Sequence, residues 1–203
     1  TGRVTGREAL PTELRDRRRA ARIRPPGARR FVRPRRRRQE LEAGTRIRTT
    51  RRAPAVLRDE TGSRVIIAPE SRVRFEGNYR SGKGREGRMV LDRGLATVRL
   101  RRAGEEGATQ EIVTSSALVQ ARTLGLTTDM DVASRGKHTS VTVHAGEARV
   151  MIEGRSVAVA AGKRVVVDAK GDIDGPRRLA SPRMRAREGG RIRVYYDRKV
   201  PDV

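Results

Sequence analysis

Apolar and polar residues alternate along most of this chain with the period of two that belongs to a half-buried strand. Thr45, Ile47 and Thr49 are separated by Arg46 and Arg48. The alternation returns at Ala55/Leu57, Val65/Ile67, Val73/Phe75 and Ala96/Val98/Leu100, where Thr97, Arg99 and Arg101 take the outward positions. It is clearest over 141–168, where Gly146, Gly154 and Gly162 punctuate the chain every eight residues. Between those glycines run Val141/Val143, Val150/Ile152, Val157/Val159 and Val165/Val167. Short strands at even spacing with glycine turns predict an antiparallel meander, folded as a sandwich or jelly-roll-like structure. No window of this region sustains a helical period. The expected fold class is all-β.

A recurrent strand start supports that expectation. The tetrad Gly-x-Arg-Ile/Val occurs at Gly44-Thr45-Arg46-Ile47, Gly62-Ser63-Arg64-Val65 and Gly162-Lys163-Arg164-Val165, with a close relative at Gly190-Arg191-Ile192-Arg193. Glycine supplies the turn, arginine points to solvent and the β-branched residue enters the core. Three regions follow. Residues 1–40 form an arginine-rich extended arm, 41–168 a β domain, and 169–203 a turn-rich linker ending in a strand at 191–196. In the arm, Thr12 can cap a short helix over 13–24, but only Leu14, Ala21 and Ile23 would give it an apolar face. Such low apolar content at high like charge predicts an irregular extension. The glycine-rich stretch 77–87 is expected to be a flexible connection.

Charge changes the picture next. Lysine and arginine total 48 against 24 acidic residues, a formal net charge of +24, and all but five of the 48 are arginine. The first forty residues hold fifteen arginines and four acids. These are densest at Arg17-Arg18-Arg19 and Arg35-Arg36-Arg37-Arg38, with Pro25, Pro26 and Pro34 between them. The chain has no cysteine, which excludes disulfide frameworks, thiol catalysis and zinc–thiolate sites. The longest uncharged run, 112–121, falls far short of the ~20 apolar residues of a membrane helix. A chain that opens on Thr1 without an apolar leader is expected to be either a processed mature protein, and then an exported one, or a piece of a longer chain.

Chemical motifs contribute little. Lys83 lies in a glycine-rich loop, but Gly84 and Arg85 follow it where a phosphate-binding loop needs Ser or Thr and a helix. The two histidines, His138 and His144, lack further ligands at metal spacing, and His144 is expected to be exposed. Ser115-Ser116 has no nucleophile-elbow context. Glu105-Glu106 falls in a glycine-flanked turn, expected as a solvated hairpin tip. Neither an enzyme nor a cofactor is expected. Arginine clusters neutralise phosphates, so nucleic acid is a candidate nonspecific partner of the arm. The five aromatics, Phe31, Phe75, Tyr79, Tyr195 and Tyr196, form no interleaved stacking array.

The ordered succession of motifs resembles bacterial FecR-type domains. Leu41-Glu42-Ala43-Gly44-Thr45-Arg46-Ile47-Arg48-Thr49-Thr50 is similar to that family's opening strand. The resemblance continues through Ala55-Val56-Leu57-Arg58-Asp59-Glu60-Thr61-Gly62-Ser63, Ile67-Ala68-Pro69-Glu70-Ser71-Arg72-Val73 and Leu91-Asp92-Arg93-Gly94-Leu95-Ala96-Thr97-Val98. Residues 141–150 and 161–165 look like its closing hairpins, so the likeness covers about 41–168. Where the family carries a Val-Arg-Gly-Thr-like turn, this chain reads Ala121-Arg122-Thr123-Leu124-Gly125-Leu126-Thr127. The resemblance implies a non-enzymatic β domain of the bacterial envelope, normally periplasmic. In the family's best-known members it relays a signal from an outer-membrane receptor to a sigma factor.

The reading reached is a scaffold or subunit of an envelope assembly that acts by protein–protein contact. Its expected partners are other envelope proteins or like subunits with acidic surfaces. The expected contact residues are Arg17, Arg18, Arg19, Arg35, Arg36, Arg37 and Arg38, with Tyr195 and Tyr196 as strand-addition anchors. The alternatives are a nonspecific nucleic-acid-associated basic protein, or the periplasmic fragment of a FecR-type sigma-factor regulator.

Overall fold

The computed structural model describes residues 8–15, 21–34, 38–51, 53–81, 84–102, 107–123, 125 and 127–179, and the backbone of 183–185 and 193–195. In chain order the strands begin with β1 (Glu8–Ala9), β2 (Thr12–Arg15), β3 (Ala21–Arg24), β4 (Arg38–Glu40), β5 (Arg46–Thr49) and β6 (Ala55–Asp59). Then come β7 (Arg64–Ile67), β8 (Arg72–Ser81), β9 (Gly84–Arg101), β10 (Gly107–Val113), β11 (Leu118–Arg122), β12 (Thr127–Arg135) and β13 (His138–Ala145). The last are β14 (Glu147–Ile152), β15 (Arg155–Ala160), β16 (Lys163–Val167), β17 (Ile173–Arg178), β18 (Arg183–Arg185) and β19 (Arg193–Tyr195). No helix occurs among the described residues. The protein is all-β.

Two sheets form. One runs β3-β5-β8-β9-β10-β11-β14-β15, with β1 beside the far end of β8. The other runs β4-β2-β6-β7-β9-β12-β13-β16-β17. Strand β9 belongs to both: its first half pairs with β8 and β10, its second with β7 and β12. Every pairing is antiparallel except β9 with β10, parallel from Gly84↔Gly107 to Val90↔Val113. The expected antiparallel meander does not hold: β3 pairs with β5, β5 with β8, β9 with β12, β11 with β14 and β13 with β16, so chain neighbours are repeatedly separated between the sheets.

The inward residues of both sheets meet in one core. Ile47, Val73, Met89, Leu91, Ile112, Val119 and Val150 enter from the first sheet, and Leu57, Ile67, Val98, Met130, Val132, Val141 and Val165 from the second. Burying each such side chain is worth about 1.5–3 kcal/mol, so the alternation of the sequence fixes which face of each strand turns inward. Gly44, Gly62 and Gly162, the glycines of the recurrent tetrads, all have positive φ.

Two local expectations change. Residues 12–15 and 21–24 are strands, not the turns of a helix. Thr12 and Leu14 point inward with Glu13 and Arg15 out; Ala21 and Ile23 point inward with Arg22 and Arg24 out. A period of two suits the open flanks of β6 and β5, which complete the backbone hydrogen bonds that an isolated arm lacks. Strand pairing thus reaches into the stretch expected to be an irregular arm, at 12–15 and 21–24. Likewise 77–81 and 84–87 are paired strand and not loose connection: β8 and β9 pair from Arg72↔Arg93 out to Ser81↔Gly84.

Where β9 crosses between sheets, the backbone is held by a closed polar corner. Gly94 has φ +108°, and a Cβ there would collide with Ser71 Oγ and lie 2.7 Å from Ser71 Cα. The Leu95 N–H donates to Ser71 Oγ at 3.2 Å, and the Ser71 N–H donates to Thr49 Oγ1 at 2.9 Å. Thr49 Oγ1 donates to the Ala68 carbonyl at 2.7 Å, and the Ala68 N–H to the Leu95 carbonyl at 2.9 Å. Ser71 is fully buried and Thr49 nearly so. We predict that Gly94→Val destabilises the fold by about 2 kcal/mol or more, from backbone strain and overpacking together. Urea unfolding checks this; a loss below about 0.5 kcal/mol, the range of neutral surface changes, would show that the corner is pliable.

Candidate functional site

Several described acidic residues pair with an arginine. Arg74 and Arg88 share Glu76 at 2.9 and 3.0 Å, and Arg88 also reaches Glu111 at 3.5 Å. Arg80 and Arg85 share Glu60, Arg99 pairs with Asp129 at 2.9 Å, and Arg177 with Asp174 at 2.6 Å. These pairs are partly exposed and each contributes little to stability. Beside them lies an area of arginine without such partners.

That area is the outer face of the first sheet. Register places Arg22 opposite Arg48, Arg48 opposite Arg72, and Arg72 opposite Arg93. Four arginines from β3, β5, β8 and β9 therefore stand in one row across four neighbouring strands, about 4.8 Å apart and spanning about 14 Å. All four are exposed. A second row, two residues along, holds Arg24 opposite Arg46 and Arg46 opposite Arg74. Arg22, Arg46, Arg48, Arg72 and Arg93 make no ion pair with any described carboxylate.

Beside the first row is a shallow hollow lined by Arg22, Arg48, Arg51, Arg72 and Arg93 with Thr49, Thr50 and Glu70. Its one carboxylate is already engaged. Arg51 donates from Nε to Glu70 Oε1 at 2.7 Å, and this hydrogen bond, with the attraction between the two charges, raises the Arg51 pKa above its usual value. Glu70 holds φ +59° at the turn into β8, and its N–H donates to the Thr50 carbonyl at 3.3 Å. The corner of Thr49, Ser71 and Gly94 lies directly beneath Arg48, Arg72 and Arg93 in the sequence of each strand. It fixes where the row stands.

Like charges directly opposite one another on a sheet destabilise it. Nothing else in the fold needs them there, since the inward partners Ile47, Val73 and Leu91 do the packing. A bound anion would convert the repulsion into attraction, and guanidinium groups suit carboxylate or phosphate because they bind both oxygens at once. At the flank of the second row, Arg24 lies 5.3 Å above the ring of Phe31, which is 39% exposed beside Val32 at 50%. An exposed aromatic next to arginine is the composition of a contact anchor.

The fold carrying this face has known counterparts. Two crystal structures of a "putative anti-sigma factor" from Parabacteroides distasonis ATCC 8503 match with a TM-score of 0.51 each, at 15% identity. The match covers 63% of this chain and 57% of theirs, so it spans little more than half the length of that protein. No protein-family model and no curated protein matches the sequence. At this identity the likeness is one of fold.

Of the residues expected to make contact, only Arg38 and the backbone of Tyr195 are described. Arg17, Arg18, Arg19, Arg35, Arg36, Arg37 and Tyr196 lie outside the described residues, as do Lys83, Glu105 and Glu106. Arg38 is exposed on β4, opposite Arg15 at the margin of the second sheet and away from the row. Tyr195 is described only in its backbone, paired with Arg183. His144 is exposed, as expected, and hydrogen-bonds Asp131 at 2.9 Å. Ser115 Oγ donates to the Gly136 carbonyl and Ser116 Oγ shares a hydrogen bond with Thr139, both at 2.7 Å. Those serines tie two turns together. Asp168, at the turn into β17, accepts from the Asp172 and Lys170 N–H groups, which lowers its pKa.

Sequence reasoning put arginine on the outer face of each strand but could not align the strands. The signal available was the outward Arg of each alternating segment; the register that joins them is non-local. If the row is maintained against stability, replacing its centre should help folding. Arg48→Thr is expected to stabilise the protein by about 0.2–1 kcal/mol at low salt, with the gain fading as salt screens the row. Denaturant melts at low and high ionic strength check this, and a loss of stability with Arg48→Thr would contradict it.

Proposed function

We propose that this chain is a non-enzymatic, FecR-like β module of the bacterial envelope that works by protein–protein contact, docking an acidic partner on its arginine face. The observation that carries this reading is the row Arg22–Arg48–Arg72–Arg93, four like charges held opposite one another without a carboxylate among them. The succession of strand motifs over 41–168 supports the family assignment, and an envelope location follows from that assignment. Phe31 would contribute the apolar part of the contact, and the guanidinium row its orientation and its rate of encounter. A second reading, the periplasmic portion of a FecR-type sigma-factor regulator, is favoured by the likeness in fold to the Parabacteroides protein. Both readings place a protein on the face.

The test is a native pull-down from the source cells, with nuclease and without it, using the wild type and a variant carrying Arg22→Gln, Arg48→Gln, Arg72→Gln and Arg93→Gln. The variant should fold, judged by circular dichroism, and its recovery of envelope proteins should fall by about tenfold or more, as loss of charge-assisted hydrogen bonds requires. Nuclease should leave the wild-type recovery unchanged. Association that disappears with nuclease would assign the arginines to nucleic acid instead, and equal recovery by the variant would remove the face from the account.

A further inference from the structure

Each sheet ends in strands with one unpaired side, and such edges invite pairing with another chain unless something blocks them. Apart from the two-residue β1 there are four outer strands among the described residues, and three of them are blocked. On β3, Ile23 exchanges both backbone hydrogen bonds with Val32 at 2.8 Å, and Arg22 and Arg24 flank it. Strand β4 is three residues long, two of them charged. Strand β17 contains Pro176 and ends in Arg177 and Arg178. Proline, charge and brevity are the usual means of protecting an edge.

Strand β15 has none of these. After Arg155 it reads Ser156-Val157-Ala158-Val159-Ala160, six residues in unbroken register with β14 and no charge beyond the first. No backbone hydrogen bond reaches its outer side among the described residues. Val159 is buried, Val157 packs against the core from the margin, and Ser156, Ala158 and Ala160 are exposed. This is a neutral strand edge on a chain of net charge +24.

We propose that β15 is where two copies of this chain meet, each β15 pairing antiparallel with the other so that the two first sheets become one. The sequence is self-complementary in a single register. With Ala158 opposite Ala158 of the second copy, Val157 faces Val159 on the inner side and Ser156 faces Ala160 on the outer side. Both valine pairs then extend the core, cross-strand β-branched pairs being favourable. Arg155 falls opposite Ala161, so no like charges oppose each other across the junction. An acidic segment of another protein would find no cationic side chain on this strand beyond Arg155, which is why a second copy fits better. A six-residue edge is smaller than a permanent interface, so the pairing is a concentration-dependent equilibrium. Salt screens the repulsion between two basic chains and therefore strengthens it, whereas docking on the arginine face weakens with salt. The two proposals fail separately.

Because the chain contains no cysteine, one introduced thiol reports the register. Opposed residues of paired strands have Cα atoms about 4.5–5.5 Å apart, within disulfide reach. In the full chain under mild oxidation, Ala158→Cys should become mostly disulfide-linked dimer, increasingly so at higher salt. Ser156→Cys alone should stay monomeric, and a mixture of Ser156→Cys with Ala160→Cys should link. Ala158→Lys should fold normally by circular dichroism and sediment as a monomer at every salt concentration. The proposal is overturned if folded Ala158→Cys does not link, whatever covers the edge, or if Ser115→Cys in its exposed turn links equally well. Linking of Ser156→Cys alone at the same rate would overturn it too.

Discussion

The passage of β9 from one sheet into the other at Gly94 is the constraint on which the rest of the structure depends. An eighteen-residue strand can serve two sheets only if its backbone turns sharply midway, and the left-handed φ of Gly94 provides the turn where Ser71 leaves no room for a side chain. Thr49 and Ser71 then satisfy the backbone groups that the crossing exposes. Because the corner fixes β5, β8 and the first half of β9 relative to one another, it also sets their register. That register aligns Arg48, Arg72 and Arg93. The same geometry that closes the core therefore assembles the charged face above it.

Opposing forces meet at that face. Burial of the inward valines, leucines and isoleucines is worth roughly 1.5–3 kcal/mol per residue, far more than the few tenths that each like-charge contact costs. The fold can thus hold its arginines in line without a counter-ion, and the stored repulsion is available to any anionic partner. Elsewhere on the surface, Glu60, Glu76, Glu111 and Asp129 neutralise nearby arginines. Charge is arranged and not merely abundant. The neutral edge at β15 is the converse case, a place on a basic molecule where charge is absent, and its response to salt runs in the opposite direction.

Much of the fold was legible because alternation is a local signal. Ile47, Leu57, Val65, Ile67, Val73, Phe75, Val98 and Val141 are buried as their spacing requires, and the tetrad glycines occupy turns. What could not be read was anything set by partners distant in sequence. Leu14 and Ile23 gave too little apolar surface for a helix, yet a strand at a sheet margin needs only one inward face, and β5 and β6 supply it. The glycines of 77–87 suggested looseness, but Gly77, Gly84 and Gly87 lie in the paired strands β8 and β9. Arg17–Arg19 and Arg35–Arg38 stand out in the sequence because they are contiguous. The row that the fold builds takes one arginine from each of four strands, so no short window contains it.

The central claim is that Arg22, Arg48, Arg72 and Arg93 act as one anion-binding array. Its most direct test is an NMR titration of the arginine Nε–H groups of the full chain with a short polyglutamate peptide at low salt. The account predicts that these four signals move together, at lower peptide concentration than those of Arg74, Arg88 and Arg99, which already hold carboxylates. Shifts spread evenly over the arginines, or confined to residues outside the row, would contradict it.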